Sequence, residues 1–500
     1  MSILNTIVSY FTKSRIERIE YFIKNPAEVQ YNSFKNILSK GIKTEFGNKY
    51  GFSSINTIED FQKQVPISTY EELYPFIAKM LKGEANILWN DPVKWFSKSS
   101  GTTNAKSKFI PLPDDALEDI HMSGGKDLIA VYLHNNPESD FYKGKGLVLG
   151  GSLSEEENGI KAGDVSALIM DNLPMWAELM RTPDLKTALN GDYEQKLAQI
   201  VQKTITKNVT NFSGVPTWSY ILIKQVLEKT GKDNILDIWP NLEWYAHGGV
   251  NFEPYRELFK KIIPSDSMNY SEIYNASEGF FAIQDQKNSK DLLLLIDYGI
   301  FYEFIPMDKL GDNNYEAITI EDVELNKNYA LVITVMGGLW RYLIGDTIRF
   351  TSIKPHRIRI TGRIKHFINA FGEELMIDNA EQGMKEACQQ TNSTIIDYTV
   401  APVYLSTEGK GCHQWLIEFE DPPTDIDKFS MILDKSIREI NSDYDAKRSK
   451  NIALENLEVI VAPKDFFYNH LKSINKLGGQ NKIPRLKNDR TVMNVLLDKL

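Results

Sequence analysis

The stretch "MNYSEIYNASEGFFAI", residues 268–283, sets two β-rich runs on either side of a short polar break. Its aromatic and β-branched residues favour a pleated surface, so it predicts strand, tight turn, strand. Upstream, "LEWYAHGGV" (242–250) reads as a strand ending in the paired glycines Gly248 and Gly249. Further upstream, the apolar run "GLVLGGS" (146–152) alternates with the helical pattern "YEQKLAQIVQKTITKNV" (193–209), which predicts an α/β body. Downstream, "DLLLLIDYGIFYEFIP" (291–306) and "YALVITVMGGLWRYLIGDTIRF" (329–350) fit further sheet. The turn residues are expected at strand ends, where α/β proteins place ligand-binding groups.

Five hundred residues exceed what one hydrophobic core usually supports, so two or more domains are expected. With 42% hydrophobic and 25% charged residues, the chain falls in the soluble globular class. A formal charge of −10 argues against nucleic-acid binding as the main function. Residues 1–26 space Ile3, Ile7, Phe11, Ile16, Ile19 and Phe22 at helical periodicity. The polar face mixes Glu with Lys and Arg, which predicts a helix packed on the body rather than a signal peptide or a membrane-surface helix. The longest apolar run, 330–340, is shorter than the ~20 residues a membrane span requires. Two cysteines, Cys388 and Cys412, lie too far apart for a CxxC pair, predicting a reducing, cytoplasmic compartment without disulfides. The seven histidines show no HExxH or clustered Cys/His spacing, so a built-in zinc site is not expected.

The texture changes near "RIRITGRIKHFINAFGEEL" (357–375). A helix opening with Asp378 and Glu381 as a capping box is expected there, then strands around 395–405 and 413–420. A helix with Phe429, Leu433, Ile437 and Ile440 on one face, a strand at 454–463 and a last helix at 490–500 complete a small α+β unit. The boundary is placed between residues 362 and 363.

Four segments carry chemistry. "SKSSGTTNAKSKFIP" (97–111) gathers hydroxyls around Gly101 with two lysines, which suits a phosphate, although an ordinary polar turn has the same composition. Lys106 and Ser107 stand where a Walker A motif needs Gly and Lys, so P-loop NTPases are excluded. In 273–281, Tyr274 could stack on a purine, Ser277 bond a phosphate oxygen and Glu278 hold Mg²⁺, or the stretch could be a hairpin with an incidental Glu. In "WRYLIGDTIRF" (340–350), Gly345 and Asp346 read either as a turn or as a carboxylate for ribose hydroxyls, with Arg363 beside it. In "KLGGQNKIPRL" (476–486), a restrained loop carries a lysine able to reach a phosphate held elsewhere.

In order and content these segments, with "GVPTW" (214–218) and "HGGV" (247–250), resemble the acyl-adenylate-forming superfamily. More narrowly they resemble the acyl-acid amido synthetases of the Gretchen Hagen type, in a bacterial-like branch. The resemblance implies an α/β fold: a large N-terminal adenylate-forming domain with mixed sheets (1–362) and a smaller α+β C-terminal lid (363–500). It implies ATP and Mg²⁺ as cofactors, and a carboxylic acid and an amino acid or other amine as partners, with a monomer favoured. Ser99, Ser100, Gly101, Thr102, Thr103 and Lys108 would then grip phosphates. Tyr274 would lie near adenine, Ser277 near the α-phosphate, Glu278 at Mg²⁺, Asp346 and Arg363 at the ribose, and Lys482 would be the catalytic cation. Val215, Trp218, His247 and Gly249 are acyl-pocket candidates by position, and each could equally be core. An acyl-CoA or aryl-CoA ligase and a non-catalytic nucleotide-binding protein are the alternatives.

Overall fold

β-Branched and aromatic residues crowd the middle of the chain, and they assemble there into one large mixed sheet. The structure is a computed structural model that describes residues 3–500 except 100–107, 156–158, 250–251, 311–314, 365–366, 369–372, 374, 404–410, 442–443, 446–447, 449–453, 478–481 and 488. Among the described residues the sheet has eleven strands. From one edge they run Ile300–Pro306, Asn328–Val335, Leu339–Ile353, His356–Arg363, Leu292–Leu294, Gly279–Ile283, Asn269–Ala276, Trp244–Gly248, Val209–Gly214, Lys145–Val148 and Arg181–Thr182. The last five pair in parallel and the others antiparallel. Parallel strands need crossovers, and the helices Tyr193–Thr204, Pro216–Thr230 and Arg256–Ile262 lie between them in the chain. Gly214, Gly248 and Ala276 therefore end neighbouring strands on one side, the usual place for a ligand.

The predicted hairpin at 277–278 is present. Of the two readings of Gly345 and Asp346 the turn is set aside, because the Leu339–Ile353 strand continues through them, held between partners on both sides. Gly345 has φ +92°, and a Cβ there would meet nothing within 4 Å, so backbone conformation rather than crowding calls for glycine. The helix expected to open with Asp378 and Glu381 instead runs from Ile377 to Thr391, and Asn379 accepts from the Met376 N–H. Glu381 is buried in the C-terminal unit and does not cap.

The N-terminal helix Ile3–Lys24 packs on the body as expected. Ile19 and Phe22 are buried, Arg15 pairs with Asp127 of the helix Ser123–Asn135, and Arg18 pairs with Asp297 at 2.8 Å. Gln30, on the next helix, donates to Ile296 O and Ile300 O, and accepts from Tyr302 N at 2.9 Å. None of the described helices is long and apolar enough to cross a membrane.

A buried ion pair ties the sheet to the helix Ile58–Gln64. Arg341 meets Glu303 through two bonds of 2.9 and 2.8 Å and donates from Nη1 to both Gln62 O and Val65 O. Truncating Glu303 to alanine leaves the guanidinium buried and uncompensated, a loss of about 3–5 kcal/mol. The expected result is a clearly lower urea midpoint for Glu303→Ala.

The C-terminal unit has a three-stranded sheet, Thr394–Val403, Cys412–Asp421 and Glu458–Ala462, covered by the helices Ile377–Thr391 and Ile426–Ile440. Phe429, Leu433 and Ile437 are buried beneath the second helix, and Ile440 is partly exposed at its end. Arg363 is the last residue of its strand in the large sheet.

Candidate functional site

Strands Trp95–Ser99 and Lys108–Leu112 pair antiparallel with Ser99 opposite Lys108, so they bring both ends of the hydroxyl-rich segment together. Ser100, Gly101, Thr102 and Thr103 lie outside the described residues. The Lys108 ammonium lies 3.3 Å from the Tyr342 hydroxyl.

Ala276 pairs with Gly279, so Ser277 and Glu278 form a two-residue turn. Turns normally face water, yet these residues are only 1% and 8% exposed. The Ser277 hydroxyl donates to Lys98 O at 3.4 Å, which sets the turn beside the start of the hydroxyl-rich segment. Burial raises the Glu278 carboxyl above its ordinary range, against the pull of Lys108 and Arg363.

Asp346 is held from two sides. The Tyr274 hydroxyl donates to its Oδ2 at 2.6 Å and Arg363 Nε donates to its Oδ1 at 2.5 Å. Asp346 and Arg363 are cross-strand neighbours, so sheet register alone makes this pair. Tyr274 is buried, its ring packed on Phe281 at 4.8 Å.

Lys482 comes from the other unit. Segment 482–487 lies along the strand Thr394–Val403, with Val400 N donating to Arg485 O at 2.8 Å and Lys487 N to Val400 O at 3.0 Å. Arg485 reaches Asp397 at 3.0 Å and donates to the Tyr255 hydroxyl of the body at 2.8 Å. From this mount the Lys482 ammonium donates to Gly249 O. Gly249 has φ +81°, a conformation natural to glycine, which follows directly on the strand Trp244–Gly248. Protein surrounds the lysine while its side chain stays open to the water of the cavity. That crowding, together with Arg363 and Arg485, pushes it down to about 8 against the pull of Asp346 and Asp397.

One cavity of about 2650 Å³ joins these groups, and Ser99, Val215, His247, Gly249, Tyr274, Ser277, Glu278, Asp346, Arg363 and Lys482 all line it. His247 is buried and stacks on Phe252 at 4.1 Å, and burial pushes its imidazole down to about 3. Trp218 touches the cavity too, but its packing is with Ala401, Leu416 and Ile483 of the C-terminal unit, an apolar seam between the two parts. Lys108 stands behind the lining, within electrostatic reach of Glu278.

Sequence reasoning missed several lining groups. On the opposite face of the sheet, Trp244 stacks on Tyr132 of the helix Ser123–Asn135 at 4.3 Å. His121 and Asn275 also line the cavity. Arg485 and Tyr255, which dock the lysine segment, had no local signal except the Pro-Arg step itself.

A large mixed-sheet body with a small α+β unit set against its strand ends is the class this fold and site define. The GH3 family N-terminal domain matches residues 15–268, the central domain 293–363 and the C-terminal domain 378–491, and the chain belongs to the GH3 family. Indole-3-acetic acid-amido synthetase GH3.4 of Arabidopsis thaliana is 23% identical, over 96% of this chain and 92% of that protein. Jasmonoyl–L-amino acid synthetase JAR4 of Nicotiana attenuata is 23% identical, over 67% of this chain and 68% of its own length. The solved structure of GH3.15 acyl acid amido synthetase superposes with a TM-score of 0.79 over 96% of this chain and 95% of that one, at 17% identity.

Proposed function

We propose that this chain is a cytoplasmic, ATP-dependent acyl-acid amido synthetase with a body of residues 1–362 and a lid of 363–500. The observation that carries the reading is that Lys482, from the C-terminal unit, lies within electrostatic reach of Asp346 and Arg363, in a cavity that Ser277 and Glu278 also line. Both cysteines are free thiols, in keeping with the compartment.

A carboxylate and an α-phosphate repel one another, so their union needs positive charge and donors fixed in place beforehand. In the proposed reaction a carboxylate oxygen attacks the α-phosphorus, the α–β bridging bond breaks and pyrophosphate leaves. An amine nitrogen then attacks the acyl carbonyl, AMP leaves and the nitrogen gives up a proton. Lys482 would neutralise the phosphate and the carboxylate, Ser277 would donate to a phosphate oxygen, and Asp346 would accept from ribose hydroxyls. Tyr274 holds the Asp346 carboxylate and would lie near adenine. Ser99 and Lys108 would place the hydroxyl-rich segment, Ser100 to Thr103 included, around the phosphates. Val215, His247 and Gly249 would contact the acid, with Trp218 behind them.

Among the described residues no three Asp, Glu, His or Cys side chains gather as a metal site. A lone Glu278 suits Mg²⁺, which often takes one carboxylate alongside substrate phosphates. When bound, the ion would supply positive charge to phosphate oxygens.

Supplying ATP and a panel of carboxylic acids tests the reading through acid-dependent pyrophosphate release, followed by amide formation with amino acids. Acyl-CoA formation without amide would replace it with a CoA ligase, and nucleotide binding without pyrophosphate release would leave only a binding protein. The active form of Lys482 is the ammonium, so kcat/KM for ATP should fall as pH rises through about 8. In Lys482→Arg that limb should vanish, because a guanidinium does not titrate there.

A further inference from the structure

His121 sits on the π-helical turn Leu117–Met122, which leads into the helix Ser123–Asn135 and packs on the strand Gly279–Ile283. Such turns re-aim side chains and recur at functional sites. The side chain lines the cavity and is 1% exposed, and neither ring nitrogen makes a hydrogen bond of good geometry. Asn275 stands beside it on the strand Asn269–Ala276, close enough for its side chain to interact with the ring, and its amide oxygen has no other partner. Asn275 shares a sheet face with Ile273, which pairs with Gly248, the residue before the Gly249 whose carbonyl Lys482 reaches.

Buried polar atoms without partners are uncommon and costly, and a polar ligand group relieves that cost. Burial pushes the imidazole down to about 4, so the ring is neutral at physiological pH, with one N–H and one lone pair. A mutual contact would let His121 donate to Asn275 Oδ1, yet the second ring nitrogen would still need a donor. Met122, on the same turn, Tyr132 and Trp244 line the same cavity.

We infer that His121 and Asn275 select a carboxylic acid whose apolar body bears a neutral hydrogen-bond donor, a hydroxyl or N–H group. The inference rests on the proposed acid-activating function and names the acid's class. A site built to bond a hydroxyl rejects its methyl isostere because the buried nitrogen is left unpaired.

The test uses full-length enzyme and pairs of acids that differ only by hydroxyl against methyl, drawn from arylalkanoic and alkanoic series. Two ratios are read for each pair: kcat/KM from pyrophosphate release, and Kd from calorimetry. Wild type should favour the hydroxyl member of at least one pair by roughly ten- to a hundredfold. His121→Phe should bring that ratio close to one, Asn275→Leu should lower it, and His121→Gln, which keeps a donor and an acceptor, should restore much of it. Each ratio compares two acids on one variant, so a loss of folded enzyme cancels. No discrimination by wild type in any pair, or an unchanged ratio in His121→Phe, overturns the inference while leaving amide synthesis standing. If no acid releases pyrophosphate, discriminating Kd values sustain this inference and remove the amido-synthetase reading; equal Kd values remove both.

Discussion

Lys482→Ala should lower acid-dependent pyrophosphate release by roughly 10²–10³-fold while ATP affinity shifts by less than about tenfold. The asymmetry follows from where the lysine acts. Its backbone is secured by the strand addition to Val400 and by the Thr399 hydroxyl donating to Pro484 O at 2.6 Å, so truncation removes charge and leaves the mount. The docking contact between Arg485 and Tyr255 is untouched, which keeps the two units together. Positive charge is needed most when carboxylate and phosphate oxygens crowd one phosphorus, hence the loss should fall on kcat rather than on nucleotide binding. Amide formation from a chemically prepared acyl-adenylate should survive far better. Turnover at the wild-type rate in the alanine variant would remove this lysine from the reaction.

Asp346→Ala should raise KM for ATP by roughly 10–100-fold, through loss of a carboxylate that can bond two ribose hydroxyls. It should also lower stability by about 1–3 kcal/mol, because the buried Tyr274 hydroxyl and the Arg363 guanidinium lose their shared acceptor. Deoxy analogues of ATP separate the two effects: wild type should discriminate against them and the variant should not. If the variant held its ATP KM within twofold while losing stability, Asp346 would be a structural anchor and the ribose would be bound elsewhere.

Periodicity made the strand-turn-strand at 268–283 and the α/β alternation legible, because apolar runs and turn residues are local signals. Gly345–Asp346 left two readings open for the same reason. The dipeptide is a common hairpin turn, and only the partners on both sides, far off in sequence, show that the strand continues. The helix start at Ile377 was misjudged because Glu381 looks like a capping residue, whereas it is buried in the C-terminal unit near Arg485, more than a hundred residues on. Among the site groups, Asp346 and Arg363 are readable as cross-strand neighbours once the hairpin register is known. Lys482 became visible through family resemblance, since a Gly-Gly-Lys loop alone has many meanings. Nothing in the local sequence distinguished His121 from a histidine of the core, or Trp218 in the seam between units from a pocket wall. Both assignments depend on what the fold brings opposite.

The side chain of Gln30 reads three backbone groups of the segment 296–302. The helix Pro26–Gly41 therefore lacks its seat on the sheet until a stretch about 270 residues later has been made, on the order of tens of seconds at ordinary synthesis rates. Over that interval its apolar face lacks this partner, and a nascent chain stalled before that point would present it to chaperones.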